Sequence, residues 1–149
     1  MQARRPHHNQ PRHRPAALRR EHTTEIRVRY AETDAMGVLH HAGHLVYFEI
    51  GRTEALRADG GSYAEVEKRG RFLVVVEASV KYRMPARYDD LLTLTTRVAR
   101  VTPAKLEHAY ELRRGGALIC TGRTTLACVD ADGKVHRVSE AVPGLEELA

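Results

Sequence analysis

Residues 72–129 consist almost entirely of segments with the alternating apolar and polar pattern of β-strands, and this run constrains the fold more than any other feature. The predicted strands cover residues 72–82, 91–101, 105–113 and 117–129, with turns at Gly115-Gly116 and Asp132-Gly133. Parallel strands need crossover connections of about a dozen residues or more. The segments between these strands offer no crossover helix, so the strands are expected to pair antiparallel.

The alternation also predicts which strand residues are buried. A first strand begins at Thr23, and its apolar positions are Ile26, Val28 and Tyr30. In the strand over residues 72–82, the apolar face is expected to hold Phe72, Val74, Val76, Ala78, Val80 and Tyr82. In the strand over residues 105–113, the packed positions are expected to include His108 and Tyr110.

Two helices are predicted between the first strand and this run. An irregular segment over residues 31–43 leads into residues 45–58, which are rich in helix formers. A second, short helix is expected to start with Ser62 as its N-cap and Glu65 as a capping-box partner. Five strands and one main helix predict an α+β fold in which an antiparallel sheet packs against a central helix.

The positive charge of the chain is concentrated at its start. Residues 1–20 hold six arginines and no acidic residue, so with a net charge of +5 the rest of the chain sums to −1. Binding of nucleic acid is therefore disfavoured for the folded part. We expect a disordered basic tail over residues 1–22 and one domain over residues 23–149, because the leader has almost no large apolar residue to bury.

The two cysteines indicate a reducing environment. Cys120 and Cys128 lie in one predicted strand, which would separate their α-carbons by roughly 26 Å at ~3.3 Å per residue. A disulfide needs less than about 7 Å. Both are expected to be small buried hydrophobic residues in a cytoplasmic protein, and no segment approaches the length of a membrane span.

Residues 30–41 concentrate titratable groups between the first strand and the main helix. Gly37 allows a sharp turn after Asp34, and the first N–H groups of the following helix have no partner within the helix. Such a helix start stabilises a developing oxyanion, while a nearby carboxylate activates or delivers the attacking group. A base and an oxyanion donor are the minimum for acyl transfer.

Two motifs resemble the 4-hydroxybenzoyl-CoA thioesterase family. Residues 30–38 read Tyr-x-x-Thr-Asp-x-x-Gly-Val and are followed by His41 and by Phe48-Glu49 on the helix. Residues 82–90 are similar to that family's Tyr-x-x-Pro-Ala-x-x-Asp-Asp connection. The resemblance covers about residues 25–134, and the Tol-Pal-associated acyl-CoA thioesterases are the branch that the chain resembles most.

The resemblance implies a hot-dog fold, in which a five-stranded antiparallel sheet wraps around the central helix. It also implies a homodimer or homotetramer with acyl-thioester sites at the subunit interface. The substrate would be an acyl-CoA or an acyl-carrier-protein thioester, with CoA as part of the substrate. No metal and no bound cofactor are implied.

The resemblance also assigns roles to residues of this chain. The catalytic set would be Asp34, the backbone N–H of His41 and Glu49. The substrate-binding set would be Tyr30, Gly37, Val38, His40 and His44. His40 and His44 occupy positions where the family commonly has tyrosine, which could change acyl-group selection.

Simpler explanations exist for several of these residues. Asp34 could be a turn or N-cap aspartate, a common role near a helix start. His40 and His44 could share a helix face as metal ligands, but no recognised third ligand follows at a zinc-site spacing. Glu49 with Arg52, and Glu54 with Arg57, have the spacing of helix-surface ion pairs.

Three functions fit the sequence to different degrees. The first is an acyl thioester hydrolase, in which Asp34 acts as nucleophile or general base. The second is a non-catalytic acyl-CoA or acyl-carrier-protein binding module that keeps the cleft. The third is a dehydratase of 3-hydroxyacyl thioesters, which needs a differently organised histidine and acid. A serine hydrolase is disfavoured because no Gly-x-Ser-x-Gly segment is present.

Overall fold

A computed structural model of the chain describes residues 17–149. The strands are β1 (Glu21–Arg27), β2 (Phe72–Tyr82), β3 (Leu91–Val101), β4 (Leu106–Arg114), β5 (Ala117–Val129) and β6 (Val135–His136). The helices are α1 (Gly43–Ala58), α2 (Tyr63–Lys68) and α3 (Val138–Ala141), with 3-10 turns at Tyr30–Glu32 and Leu145–Leu148. Across residues 17–149, no helix combines the length and the apolar content that a membrane crossing requires.

The sheet is antiparallel throughout, as predicted. Its strand order is β1-β3-β4-β5-β2, so β1 and β2 form the two edges, and β6 adds a two-residue pairing to β5. The observed bounds of β2, β3 and β5 match the prediction, and β4 is shifted by one residue. The short C-terminal elements β6 and α3 were not predicted.

The chain becomes regular before the expected domain boundary at residue 23. β1 starts at Glu21, and His22 already pairs with Thr96 of β3. Residues 1–16 of the predicted basic tail lie outside the described part of the chain.

Helix α1 lies directly on the centre of the sheet because a glycine leaves room for it. The Phe48 ring stacks on the Tyr110 ring of β4, with centroids 4.1 Å apart and planes 6° from parallel. Gly122 of β5 pairs with Tyr110, and a Cβ atom at Gly122 would overlap the Phe48 ring. Gly51 plays the same part farther along α1, where a Cβ atom would overlap Leu94 and Thr96 of β3. Packing therefore fixes the depth of α1.

Apolar side chains form two clusters, one under each half of α1. The first cluster contains Ile26, Val28, Leu39, Tyr47, Phe48, Ala86, Leu92, Leu94, Tyr110, Leu112, Ile119 and Cys120. The second contains Val66, Val98, Val101, Leu106, Leu126, Cys128, Val138, Ala141, Val142 and Leu145. Helices α2 and α3 and the last 3-10 turn cover this second cluster.

The predicted apolar face of β2 is wrong in its first half. A bulge between Val75 and Glu77 changes the register against β5, so the side-chain alternation reverses there. After the bulge, Val80 pairs with Gly122 on the face that carries α1, as predicted. Before it, the partner of Cys128 is Leu73, whose side chain packs against the second apolar cluster.

The two ends of the described chain meet near the end of α1. Leu18 packs against the second apolar cluster, and the Arg19 N–H donates to the Asp59 carboxylate at 3.3 Å. The Arg20 guanidinium donates to the carbonyl of Leu148. These contacts join the N-terminal segment to the C-terminal turn.

Candidate active site

The segment that carries Asp34 is a tight hairpin closed on itself. Thr33 and Leu39 form an antiparallel bridge, and the Asp34 N–H donates to the Val38 carbonyl at 2.9 Å. Gly37 adopts the left-handed φ of 77° that the predicted sharp turn requires. The sequence therefore folds locally as expected between the first strand and α1.

The Asp34 carboxylate has one engaged oxygen and one open oxygen. The half-buried side chain accepts hydrogen bonds through Oδ1 from the N–H groups of Met36 at 2.8 Å and Val38 at 3.4 Å. Within residues 17–149, nothing donates to Oδ2. Asp34 thus serves as a turn residue and still presents an oxygen that can act on a substrate.

The start of α1 leaves backbone donors open. Ala42 occupies the N-cap position and offers no side-chain acceptor, while the Gly43 N–H turns back to the His40 carbonyl at 2.8 Å. The His41 N–H meets no acceptor in the described chain. A helix start carries partial positive charge, so this N–H can polarise a carbonyl oxygen.

The three histidines at this start have different environments. His40 and His41 are exposed, with ring centroids 4.1 Å apart, and His40 Nδ1 accepts from the Ala42 N–H at 3.1 Å. His44 is only 4% exposed, and burial lowers its pKa below the ordinary value of 6.5. In residues 17–149, no three His, Cys, Asp or Glu side chains come together in a way that could hold a metal ion.

Glu32 is a site residue that sequence reasoning missed. Its Oε1 accepts from the Tyr47 hydroxyl at 2.9 Å and from the Arg29 N–H at 2.8 Å, which ties the hairpin to α1. Desolvation raises the pKa of Glu32, but the hydrogen bonds from Arg29 and Tyr47 outweigh it and leave the pKa below its ordinary value. The only signal in the sequence was the capping-type spacing of Arg29 and Glu32.

The predicted ion pair between Glu49 and Arg52 is wrong. Glu49 is exposed, and the Arg52 guanidinium instead donates to the Tyr110 hydroxyl at 3.1 Å, which also bonds Thr124 at 2.6 Å. Arg52 points inward because the sheet offers it polar groups. The other predicted pair, Glu54 with Arg57, is present.

The two sequence motifs meet in space. Val38 of the hairpin bridges to Arg87 of the β2–β3 connection, and the Leu39 N–H donates to the Ala86 carbonyl at 2.7 Å. The connection is itself held by Asp90, which accepts from the Arg114 guanidinium at 2.9 Å. The hairpin with Asp34 is therefore hydrogen-bonded to the second motif, which supports it.

Tyr30 lies at the rim of this region rather than in β1. The strand ends at Arg27, and Tyr30 opens the 3-10 turn with 77% of its surface exposed. Its ring contacts Tyr88 edge to face at 5.6 Å. Three more large apolar side chains on these two motifs are exposed, namely Met36, Tyr82 and Met84.

Two large grooves lie away from Asp34. One of about 440 Å³ crosses the face of the sheet opposite α1, between Arg97 and Arg123. The other, of about 540 Å³, lies between α2 and the C-terminal turn and includes Leu18 and Val142. Neither is lined by Asp34.

An antiparallel sheet curved around one helix, with a carboxylate hairpin leading into that helix, is the hot-dog fold of thioesterases. The thioesterase-like superfamily matches residues 28–147. The acyl-CoA thioesterase YbgC of Haemophilus influenzae is 35% identical over 115 residues, which cover 76% of this chain and 84% of that one. The putative acyl-CoA thioesterase YneP of Bacillus subtilis is 34% identical, over 72% of this chain and 79% of that protein.

A solved structure gives the same result. The DHNA-CoA thioesterase of Staphylococcus aureus aligns with a TM-score of 0.80 and 33% identity, covering 85% of this chain and 87% of that one. The chain belongs to the thioesterase-like superfamily.

Proposed function

We propose that this chain is an acyl-CoA thioesterase, which hydrolyses an acyl thioester to the free acid and CoA. One observation carries the proposal: the open Oδ2 of Asp34 and the open N–H of His41 lie on one continuous hairpin and helix start. The names of the bacterial relatives support CoA as the carrier. Within the superfamily, we propose that the chain belongs to the 4-hydroxybenzoyl-CoA thioesterase family and to its Tol-Pal-associated branch, because its two motifs resemble those of that family.

In the proposed reaction, the thioester carbonyl accepts a hydrogen bond from His41 N–H. Asp34 then either takes a proton from an attacking water or attacks the carbonyl carbon itself. In the second route the C–S bond breaks as a mixed anhydride forms, CoA leaves as thiolate, and water cleaves the anhydride. Both routes consume one water and yield a carboxylic acid and the CoA thiol.

Further residues are proposed to complete the site. Glu49 would be a second acid, exposed on α1. The binding site for the acyl thioester would be lined by the hairpin and the start of α1. The residues proposed to line it are Tyr30, Gly37, Val38, His40 and His44. Substrate contact by these residues stays a prediction.

Replacing Asp34 by Asn tests the proposal. Asn keeps the oxygen that accepts the Met36 N–H, so the hairpin is preserved while the carboxylate is lost. We expect CoA release, followed with a thiol reagent, to fall by about 10²- to 10⁴-fold. The matched control is Asp132→Asn in an exposed turn, which should keep the wild-type rate.

Two outcomes would reject the proposed reaction. An Asp34→Asn variant with an undiminished rate would remove Asp34 from the mechanism. A wild-type protein that binds acyl-CoA and acyl-carrier protein but releases no thiol would be the non-catalytic binding module. A panel of short, long and aromatic acyl groups on both carriers identifies the substrate.

Labelled water separates the two routes for Asp34. In single turnovers in H₂¹⁸O, the anhydride route places label in the Asp34 carboxylate when water attacks its side of the anhydride. The general-base route labels only the released acid. Mass spectrometry of the peptide that contains Asp34 reads the difference.

We propose that the chain works as a homodimer or homotetramer. β2 is an edge strand with unpaired backbone groups, and Val74, Val75 and Val76 on it are 37 to 54% exposed. A second copy on this edge would cover these valines. Light scattering of Val76→Lys should show a lower mass than wild type, whereas Val135→Lys on β6 should not change the mass.

We also propose a cytoplasmic setting. Cys120 and Cys128 are buried, unbonded thiols, as the sequence predicts. Desolvation raises the pKa of Cys120 to about 12, so the thiol stays protonated and unreactive. Unpaired thiols of this kind are typical of a reducing compartment.

A further inference from the structure

We propose that Tyr82 and His44 are positioning residues, whose hydrogen bonds to backbone carbonyls at the start of α1 aim the His41 N–H at the substrate. The inference rests on the proposed function and deepens it. It adds two side chains, one on the edge strand β2 and one on α1, to the groups that act around Asp34.

Tyr82 joins the end of β2 to the start of α1. Its hydroxyl donates to the His41 carbonyl at 2.8 Å. Its ring also meets the His44 ring edge to face, with centroids 4.7 Å apart and planes at 85°. The edge strand and the helix start are therefore fixed to each other through these two aromatic side chains.

His44 holds the same backbone from inside the fold. Its Nδ1 lies 3.0 Å from the His41 carbonyl oxygen and 3.2 Å from the His40 carbonyl oxygen. Both oxygens are acceptors, so Nδ1 must carry the proton. Because burial lowers the pKa of His44, the ring is neutral near pH 7 and its Nε2 is unprotonated.

These bonds determine where the His41 N–H points. That N–H belongs to the same planar trans peptide as the His40 carbonyl, and in such a unit the two groups point in opposite directions. The His40 oxygen is held by Gly43 N–H at 2.8 Å and by His44 Nδ1, so the N–H is aimed away from the helix. Tyr82 and His44 together hold the next carbonyl, that of His41.

Three variants test this geometry. Tyr82→Phe removes only the hydroxyl, and His44→Gln places its amide nitrogen near the Nε2 position and so loses the Nδ1 donor. We expect each variant to lower kcat for CoA release about tenfold and to keep KM within about twofold. The reason is that the His41 N–H, which donates to the substrate carbonyl, is misaimed rather than lost. His44→Asn puts an N–H near the Nδ1 position and should recover most of the kcat that His44→Gln loses.

A matched control removes a phenol hydroxyl at the start of α2. Tyr63→Phe removes that hydroxyl from a small cavity that Arg52 of α1 also lines, far from His41. It should lower thermal stability by as much as Tyr82→Phe does, yet leave kcat unchanged. If Tyr82→Phe and His44→Gln keep full kcat, or if His44→Asn falls as far as His44→Gln, the inference is overturned. A wild-type protein that releases no thiol would reject the proposed function instead.

A second measurement needs no variant and no substrate. Two-dimensional ¹⁵N NMR of the histidine rings in the intact protein reports which nitrogen is protonated. We expect the Nδ1–H form for His44 at pH 7. An Nε2–H form would overturn the inference, because Nδ1 could then donate to neither carbonyl.

Discussion

Helices α1 and α2 begin in opposite ways. At the start of α2, Ser62 has extended backbone, with φ −156° and ψ 148°, and its hydroxyl accepts from the Glu65 N–H at 3.1 Å. At the start of α1, Ala42 has helical backbone, with φ −70° and ψ −22°, and no side-chain acceptor. The cap satisfies a donor of α2, whereas the donor at His41 stays open.

This difference separates a capped helix start from one whose first donors stay open. A cap is worth about 1 kcal/mol, and α1 forgoes it. The helix is held instead by packing, with Phe48 against Gly122 and Gly51 against β3. Since stability is supplied along the helix, its first donors are free to bind a substrate.

The largest effect is expected when the packing of α1 is disturbed. Gly122→Ala places a methyl group inside the Phe48 ring, so the helix must move, and we expect a loss of about 3 kcal/mol in the free energy of unfolding. Gly116→Ala is the control, because no atom lies within 4 Å of a Cβ atom there. Urea denaturation measures both. A smaller loss at Gly122 than at the α2 cap would contradict the claim that packing holds α1.

The second largest effect is expected from acid, which should lower the free energy of unfolding through His108 of β4, beside the C-terminal half of α1. Desolvation, with a smaller contribution from the Arg52 charge, lowers the pKa of His108 to about 3 from its ordinary 6.5. Below pH 6.5 the unfolded chain takes up a proton that folded His108 does not. The contribution of neutral His108 to the free energy of unfolding is therefore fully present above pH 6.5. It is lost as the pH falls toward 3, by about 1.4 kcal/mol per pH unit.

A His108→Gln variant checks this assignment. Urea denaturation at pH 7, 6 and 5 should show a loss of about 2 kcal/mol between pH 7 and pH 5 in the wild type, and a flatter profile in the variant. His22→Gln on edge strand β1 serves as the control and should keep the wild-type slope. Equal slopes in all three proteins would mean that His108 is not the titrating group.

A negative charge at the start of α1 tests the open donors directly. Ala42→Asp puts a negative charge beside the donors proposed to hold an oxyanion, so we expect kcat/KM to fall about tenfold. Asn is isosteric with Asp but uncharged, so Ala42→Asn should lower kcat/KM less. Added salt should reduce the difference in kcat/KM between the two variants. A gap that salt leaves unchanged would argue against an electrostatic origin.

The smallest effect is expected at the α2 cap. Ser62→Ala should lower the free energy of unfolding by about 1 kcal/mol and leave kcat unchanged. The reverse change, Ala42→Ser, should gain little, because helical backbone at Ala42 does not suit a capping hydroxyl. A clear gain from Ala42→Ser would show that α1 can be capped as readily as α2.

Periodic and local features were readable from the sequence. Alternation predicted β3 and β5 with their observed bounds, and the Ser-x-x-Glu spacing predicted the Ser62 cap. The second half of that capping box did not form, since the Glu65 carboxylate contacts Lys68 instead. The two motifs also meet in space, while the role of the Asp34 loop in catalysis stays a prediction.

Features that depend on distant partners were not readable. The bulge at Val76 follows from pairing with β5, and nothing in the local alternation marks it. Arg52 of α1 turned inward because Tyr110, on strand β4, offers a hydroxyl. The bond from Tyr82 to the His41 carbonyl joins residues 41 positions apart, which a local pattern cannot register.

The meeting of the two chain ends bears on how the protein can be handled. Arg20 and Leu148 are in contact beside the far end of α1, and the 16 residues of that helix span about 24 Å. A fluorescent reporter or affinity tag attached through Ala17 or through Ala149 would thus leave the described part of the chain at one place, a helix length from His41. Either attachment would hold the protein with the His41 end of α1 facing solution.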